Sequence, residues 1–448
     1  MTGLGPLDSG FIELEDTDRH VSAGIGAVAV LAGVPPSRAE FAAALTEHLN
    51  VDARLRQKVR RARWDLTAPV WVDDLHFDLA HHLRWTALPD PRDEATLHEL
   101  IATEMEERLD RDHPLWQCIV VEHLAGDRWA LIVKVHHSMV DGISGITLFE
   151  RLCDSPRQQV APLPQSVDNR SRDWRGLLVK GLRLPIDVPR AVLETVRGAV
   201  PIVLEAVLPA AGSSLIGPIG RQRRYAVART SLPEVKEIGV AFGVTVNDVA
   251  LAAVAAAFRA VLLQRGEQPT ADMLRILAPV SVRAKDAKDI LDNRVSAVLP
   301  LLPIELEDPV QQLSAVHTRM AEHKASGSAS AANSVFALAS RLPFAPLAWT
   351  VRLVLRLPQH SIAGLATNVP GPKQPLYLHG REVLEILPYA PIAVRLRTGI
   401  AILSYRDQLV FGITGDYDTT PDIDMIAQGI QRATEQLLAR ARDAAPQH

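Results

Sequence analysis

The sequence contains 448 residues, of which 47% are hydrophobic and 22% charged, and its formal net charge is -4. This composition is typical of a packed globular protein, and a prior of about 150 residues per domain predicts two or three domains, which we interpret as two large lobes. Acidic and basic residues are mixed along the chain, so the charge pattern does not favour binding to nucleic acid.

The cysteines and the N-terminal segment indicate the cellular compartment in which the protein is expected. Cys118 and Cys153 form no CxxC pair, which excludes a disulfide framework and a zinc site built on paired cysteines. Residues 1–18 are acidic and lack the basic start and continuous apolar core of a secretory signal. We therefore expect a reducing compartment, the cytoplasm.

The first predicted elements are a strand and a helix. Residues 20–32 are rich in Val, Ala and Gly and predict a buried strand, and the segment after Pro36 and Ser37 has the start signal and apolar spacing of a helix. The strand contains Gly24 and Gly26, part of a dinucleotide-binding fingerprint. That fingerprint requires a helix to begin at the glycines, whereas this strand continues through them, so we reject a nucleotide site.

A hairpin that leads to a pair of histidines is the clearest predicted feature of the first half. It follows a predicted amphipathic helix over residues 94–109. Strands over residues 117–122 and 129–135 are separated by the turn-like segment 125–127. Residues 143–154 have the apolar spacing of a helix, so a helix is expected to run away from the end of the second strand.

The middle of the chain is expected to connect two lobes. Residues 154–224 contain several prolines and no clear strand, and helices interrupted at proline are expected over residues 177–208. We divide the chain into an N-terminal lobe (1–155), an interlobe connection (156–223) and a C-terminal lobe (224–448). In the second lobe a helix is expected to begin near Thr245, and the predicted strands cover residues 224–227, 275–282, 295–302, 400–404 and 409–414.

The segment HHSMVDG, residues 136–142, is the strongest candidate for chemistry. A histidine accepts a proton near neutral pH, and the end of a strand can hold its side chain rigidly, as a general base requires. Neighbouring strand residues point to opposite faces, so only one of His136 and His137 can face a site. Asp141 and Gly142 occupy the positions that a tight turn from strand to helix needs.

The spacing HHxxxDG resembles the signature of an acyltransferase superfamily that includes chloramphenicol acetyltransferase, peptide-synthetase condensation domains and bacterial wax ester synthase/diacylglycerol acyltransferases. Further segments are similar to the last family, and to its mycobacterial and actinobacterial triacylglycerol synthases in particular. In chain order these segments are PLDSGF (6–11), PLW (114–116), ND (247–248), PVSVR (279–283), DNR (292–294) and NVPGP (368–372). They span almost the whole chain, so the sequence is identified as a member of that family.

The resemblance implies an α/β fold of two chloramphenicol-acetyltransferase-like lobes, each with a mixed sheet and helices, around a central tunnel. It implies that His137 is the base that takes a proton from an acceptor hydroxyl as this attacks acyl-CoA, while His136 supports it. The implied substrates are acyl-CoA and diacylglycerol, with long-chain alcohols as alternative acceptors, and no cofactor is expected. Asp141 is expected to pair with Arg283, unless Arg283 is a surface residue beyond a strand, and Gly142 completes the turn.

Three further motifs each allow two interpretations. Asn247 and Asp248 are expected to cap a helix, and they are also candidates for polar groups near the oxyanion of the reaction, because a helix N-terminus offers N–H groups there. Asn368 is expected in a turn, with a tunnel or interlobe contact as the alternative. The segment 114–116 is expected to be scaffold near the site rather than a participant in proton transfer.

The residues leave other functions open. A related enzyme could take its acyl group from a carrier protein, and a catalytically inactive relative could only bind lipid. A metal-dependent hydrolase could use His136, His137 and Asp141 as ligands, although neighbouring strand residues diverge, which argues against it. A second pair, His81 and His82, is followed by neither an acid nor a glycine turn, and we assign it no chemistry.

Apolar segments of the sequence bear on whether the protein associates with a lipid surface. The sequence has no run of 18 or more uncharged apolar residues, so a spanning helix is not expected. Residues 335–357 combine apolar side chains with Arg341, Arg352 and Arg356. This composition suits either a buried helix pair or contact with a membrane or lipid droplet.

Overall fold

The computed structural model describes residues 2–49, 53–62, 67–140, 142–154, 213–281, 295–325 and 359–444. In chain order its strands are β1 (Thr2–Gly3), β2 (Gly24–Ala32), β3 (Gln57–Arg60), β4 (Val70–Asp73), β5 (Leu83–Ala87), β6 (Trp116–Leu124), β7 (Arg128–His136), β8 (Arg223–Ser231), β9 (Ile276–Ser281), β10 (Val295–Val298), β11 (Gly364–Pro370), β12 (Tyr377–Leu378), β13 (Arg381–Tyr389), β14 (Thr398–Tyr405) and β15 (Gln408–Asp416). The helices are α1 (Pro6–Thr17), α2 (Arg38–Leu49), α3 (Glu94–Glu106), α4 (Gly142–Leu152), α5 (Leu232–Phe242), α6 (Val246–Gln264), α7 (Pro309–Ala325) and α8 (Ile423–Ala444).

The N-terminal lobe is built on a six-stranded mixed sheet with the strand order β12-β13-β2-β7-β6-β5. Strands β6 and β7 form the predicted antiparallel hairpin, and β2 pairs with β7 so that Gly24 lies opposite His136. Gly24 lies inside β2, and a Cβ on it would come within 2.7 Å of the Cε atom of Lys134. This glycine therefore permits close packing in the sheet, in keeping with the rejection of a nucleotide site.

The C-terminal lobe is built on a second six-stranded mixed sheet with the order β10-β9-β11-β14-β15-β8. Strands β9, β11 and β14 are parallel, and β14 forms the predicted antiparallel hairpin with β15. Helix α6 fills the centre of this lobe, where α7 and α8 pack against it. It is the one helix in the described ranges that is long and apolar enough to cross a membrane, and 67% of its most apolar 18-residue stretch is buried inside the protein.

A hairpin from the second half of the chain joins the first lobe. Strand β12 pairs with β13, and β13 pairs with β2 and packs against β14 and β15 of the other sheet. The hydroxyl of Tyr225 on β8 donates a 2.7 Å hydrogen bond to the carbonyl oxygen of Pro388 on β13. Gly412 of β15 also approaches this carbonyl so closely that a Cβ would collide with it. Strand β13 therefore packs the two lobes closely against each other.

Salt bridges add to the contact between the lobes. The guanidinium of Arg229 on β8 binds both carboxylate oxygens of Glu385 on β13, at 2.6 and 3.0 Å. It also lies 3.0 Å from the carboxylate of Glu94, at the start of α3. Arg229 therefore connects the C-terminal sheet to two elements of the N-terminal lobe.

The sequence predictions are borne out for most of the described elements. The helices near 94–109 and 143–154 and the strands near 224–227, 275–282 and 295–302 are all present, the last as the shorter β10. Residues 156–212 of the predicted interlobe connection, with its helices at 177–208, lie outside the described residues, as does the apolar region 335–357. The prediction that Asn368 lies in a turn is wrong, because Asn368 is in β11 and pairs with Ile402 of β14.

Candidate active site

The two histidines of HHSMVDG lie where β7 ends. The N–H of His136 donates to the carbonyl oxygen of Leu115, and the N–H of His137 donates to that of Ala23, both at 2.9 Å. A 2.8 Å bond from the N–H of Met139 to the carbonyl oxygen of His136 closes the turn that follows. The backbone of both histidines is therefore held by the neighbouring chain on either side of the strand.

The two imidazoles lie in different environments, as neighbouring strand residues should. His136 is 1% exposed, whereas the side chain of His137 is only partly buried. The His137 ring stacks on the ring of Phe11 from helix α1, with centroids 3.9 Å apart and an interplanar angle of 12°. Only His137 is therefore placed to meet a substrate, and one face of its ring is fixed by an aromatic side chain.

His136 is held by hydrogen bonds to the turn itself. Its Nδ1 atom accepts the N–H of Ser138 at 3.0 Å and lies 2.8 Å from the Ser138 hydroxyl. A ring nitrogen that accepts an N–H carries no proton, so we assign the ring proton to Nε2. That atom lies 3.6 Å from a carboxylate oxygen of Glu15, which is longer than a hydrogen bond.

Glu15 of helix α1 is a buried carboxylate with several partners. It accepts the N–H of Ala23 at 2.7 Å and a guanidinium N–H of Arg111 at 2.8 Å. Burial alone would raise the pKa of Glu15, but His136, Arg111 and the Ala23 N–H outweigh it and lower this pKa to about 2. Glu15 is therefore ionised at neutral pH, and its carboxylate lies next to the His136 ring.

An ion pair is predicted to fix the turn that follows the histidines. Asp141 and Arg283 both lie outside the described residues, so their ion pair stays a prediction. Gly142 begins helix α4, and this agrees with its predicted place at the end of the turn. Helix α4 packs against β11 of the C-terminal sheet, so the element that follows the histidines contacts the second lobe.

The helix cap predicted in the C-terminal lobe is present, and Thr245 is its N-cap residue, with Asp248 three residues later. Thr245 is the N-cap of α6, and its hydroxyl accepts the N–H of Asp248, whose carboxylate in turn accepts the N–H of Thr245. The same carboxylate lies 2.9 Å from Nδ1 of His317 on α7. Burial alone would raise the pKa of Asp248, but His317 and Thr245 lower it. Asp248 thus has a structural role in joining α6 to α7.

Asn247 has a different partner from its neighbour. Its side-chain oxygen accepts a 3.2 Å hydrogen bond from the side-chain amide of Asn368, so the ND and NVPGP segments meet. Val369, the next residue of β11, packs against the hydrophobic cluster of the N-terminal lobe that includes Met139 and Val140. The pair of asparagines therefore joins the start of α6 to β11, next to a residue that packs on the core of the N-terminal lobe, whereas a role at the oxyanion stays a prediction.

The PLW segment is scaffold, as predicted. The carbonyl of Leu115 holds the backbone of His136, and the indole N–H of Trp116 donates to the carbonyl oxygen of Leu55 at 2.7 Å. Trp116 also stacks on the buried ring of His82, with centroids 4.4 Å apart. In the described part of the chain, no group of three or more His, Cys, Asp or Glu residues is arranged to hold a metal ion.

Phe11, Glu15 and Arg111 were not singled out from the sequence as parts of the site. The available signal was the spacing of Phe11 and Glu15, since residues four apart lie on one face of a helix. Helix α1 itself was not predicted, although Pro6 at its first position and Asp8 in its first turn are typical start signals.

Comparison with known proteins shows the family of the chain. The model of the wax ester synthase/diacylglycerol acyltransferase catalytic domain matches residues 4–250, and the model of the C-terminal domain of the same family matches residues 291–438. The chain belongs to the wax ester synthase/diacylglycerol acyltransferase family. One relative is a Mycobacterium tuberculosis protein named "Probable diacyglycerol O-acyltransferase tgs1", which is 44% identical over 98% of this chain and 96% of its own length.

Solved structures show the same two-lobed fold. The wax ester synthase/diacylglycerol acyltransferase of Marinobacter aquaeolei VT8 is 26% identical, with a TM-score of 0.69 over 98% of this chain and 100% of that one. The first condensation domain of the CDA synthetase is 15% identical, with a TM-score of 0.61 over 98% and 97% of the two chains. Its likeness concerns the fold alone. Together these matches confirm the predicted α/β fold of two lobes and the membership of the family.

Proposed function

We propose that this member of the family transfers a fatty acyl group from acyl-CoA to the hydroxyl of diacylglycerol, forming triacylglycerol, and that His137 is the general base. The observation that carries the role of His137 is its placement. Its N–H is held by Ala23, its ring stacks on Phe11, and its side chain is only partly buried.

The proposed reaction needs one proton acceptor and no covalent acyl-enzyme. His137 takes the proton of the acceptor hydroxyl while the hydroxyl oxygen bonds to the thioester carbon. The resulting tetrahedral oxyanion collapses, the carbon–sulfur bond breaks, and the CoA thiolate receives the proton from the His137 imidazolium. The products are the ester and free CoA, so atoms and charge balance, and no cofactor is required besides the acyl-CoA substrate.

His136 is unsuited to the same task. Its ring is 1% exposed, and its unprotonated Nδ1 atom already accepts the N–H of Ser138. A general base must come within hydrogen-bond reach of the proton that it removes. We therefore assign His136 to holding the turn, and we propose that Asp141 and Arg283 form the ion pair that fixes the far end of the same turn.

Long-chain alcohols are the second candidate acceptors, because the family includes wax ester synthases as well as diacylglycerol acyltransferases. Incubation of the purified protein with labelled palmitoyl-CoA, and separately with diacylglycerol or hexadecanol, distinguishes the two. The proposal expects labelled triacylglycerol to form faster than wax ester. Formation of neither product, or acylation from a phosphopantetheinyl carrier protein but not from free CoA, would contradict the proposed function.

We also propose that the protein is cytoplasmic and associates with a membrane or lipid droplet, because both the proposed acceptor and the product are lipids. Flotation of the purified protein with diacylglycerol-containing vesicles tests this association. We expect it to float with the vesicles and to stay at the bottom of the gradient without them.

Activity that survives EDTA is expected as well, and loss of activity in EDTA would favour the alternative of a metal-dependent hydrolase.

A further inference from the structure

Helix α1 presents one aromatic and one acidic side chain to the two histidines. Phe11 contacts the ring of His137, and Glu15, one helical turn later, faces the ring of His136. We propose that Phe11 and Glu15 are positioning residues, which set the orientation of the general base without touching the substrate. This inference rests on the proposed role of His137 as that base.

Glu15 acts on His137 through a single residue, Ala23. The Glu15 carboxylate accepts the N–H of Ala23 at 2.7 Å, and the carbonyl oxygen of the same residue accepts the N–H of His137 at 2.9 Å. A shift of the Ala23 backbone therefore moves the backbone that carries the base. A misplacement of about 1 Å in a reacting group can cost a factor of about 100 in rate, so this link has kinetic consequences.

Glu15 also acts on the turn through His136. The Nε2 atom of His136 lies 3.6 Å from the carboxylate, while Nδ1 accepts the N–H of Ser138. With the tautomer fixed in this way, His136 connects Glu15 to the residue that follows His137. Both neighbours of His137 along the chain are thus tied, directly or through the His136 ring, to helix α1.

The position of helix α1 is itself well determined. Ile12 is fully buried in the core of the N-terminal lobe. At the end of the helix, the guanidinium of Arg108 donates to the carbonyl oxygens of Glu15, Asp18 and Val21 at 2.6, 2.6 and 2.8 Å. Cationic groups are favourable at a helix C-terminus, where carbonyl groups lack partners. The helix can therefore serve as a rigid reference for the histidine turn.

The face contact of Phe11 restricts rotation of the His137 ring. The two rings are nearly parallel at a centroid distance of 3.9 Å, so the imidazole cannot turn about its χ2 bond without losing the contact. The ring edges, which carry the two nitrogen atoms, lie in the plane that this stacking defines. Phe11 thus fixes the plane in which the proton-accepting nitrogen lies.

The same helix provides a matched control. Glu13 is also buried, at 1% exposure, and its carboxylate binds the guanidinium of Arg61 at 2.6 Å rather than a histidine. Glu13→Gln and Glu15→Gln each neutralise one buried carboxylate in α1 and leave its size unchanged. A general effect of lost charge or lost stability should appear in both variants, whereas an effect on the base should appear in only one.

The test compares kcat and KM for acyl-CoA in purified Glu15→Gln, Glu13→Gln and His137→Ala. We expect Glu15→Gln to lower kcat by about 10- to 100-fold with KM within about threefold of wild type, because the base is misplaced while substrate binding is kept. Glu13→Gln should keep kcat within about twofold. Equal kcat values for the two glutamine variants would overturn the positioning role of Glu15.

Phe11 supplies a second test that changes no buried charge. Phe11→Leu should lower kcat by about tenfold, and Phe11→Tyr, which keeps the aromatic face, should restore most of it. A leucine variant as fast as wild type would overturn the role of Phe11. An active His137→Ala variant would instead refute the proposed base, so the two failures are distinguishable.

Discussion

The ring of His137 lies flat against the ring of Phe11, with their centroids 3.9 Å apart. Phe11 belongs to the first helix of the chain, whereas His137 follows the seventh strand. The PLDSGF segment is therefore part of the candidate active site. The contact fixes the plane of the His137 ring, whereas the buried His136 ring is held by hydrogen bonds to Ser138.

Acid should remove the contribution of Glu15 to stability. The pKa of Glu15 in the folded protein is about 2, below the ordinary 4.5, so the folded state favours the charged carboxylate. Its stabilising contribution is complete above pH 4.5 and is lost as the pH falls through that value toward 2. Melting temperatures of wild type and Glu15→Gln should differ at pH 6 and converge toward pH 2, and a constant difference would contradict this.

The cap of helix α6 should contribute measurably to the C-terminal lobe. Thr245→Ala removes the hydroxyl that accepts the N–H of Asp248 and should cost about 1 kcal/mol in the free energy of unfolding. Thr245→Ser keeps the hydroxyl and should stay within about 0.5 kcal/mol of wild type. Urea denaturation measures both values. A loss in the serine variant equal to that in alanine would show that the cap is not the cause.

The contact between the lobes should weaken as His98 becomes protonated. His98 packs edge-on against Tyr225, and burial, together with nearby Arg229, lowers the pKa of His98 from 6.5 to about 4. The unfolded chain therefore binds the proton more readily, so stability falls as the pH drops from 6.5 to 4. His98→Leu should flatten the melting temperature over this range, and an unchanged slope would contradict the prediction.

The predicted ion pair between Asp141 and Arg283 can be tested by charge reversal. Arg283→Ala should lower kcat at least about tenfold or destabilise the fold, because an unpaired buried carboxylate is costly. The double variant Asp141→Arg with Arg283→Asp should recover part of what Asp141→Arg alone loses. Full activity of Arg283→Ala would refute the pairing.

Local patterns were sufficient to predict much of the fold. The hairpin of β6 and β7, the helix after the histidines and the start of α6 near Thr245 follow from side-chain periodicity and cap chemistry. The pairing of β13 with β2 could not be predicted in this way. Those strands are far apart in sequence, and no local signal states that Glu385 will meet Val30 in a sheet of the other lobe.

The candidate site was predictable to a similar extent. The strand end that carries His136 and His137 follows from the sequence, because the chain itself places a turn there. The roles of Glu15 and Arg111 depend on tertiary contacts across 121 and 96 residues of chain, which periodicity does not reveal. Asn368 was misplaced for a related reason, since its strand exists only through pairing with β9 and β14.

The rate constant of acyl transfer in His137→Ala decides whether His137 is the general base. His81→Ala, from the other histidine pair, is the matched control. With palmitoyl-CoA and diacylglycerol, we predict that His137→Ala lowers kcat by about 10² to 10⁴ while the control stays near wild type. A folded His137→Ala variant that transfers the acyl group as fast as wild type would contradict the account.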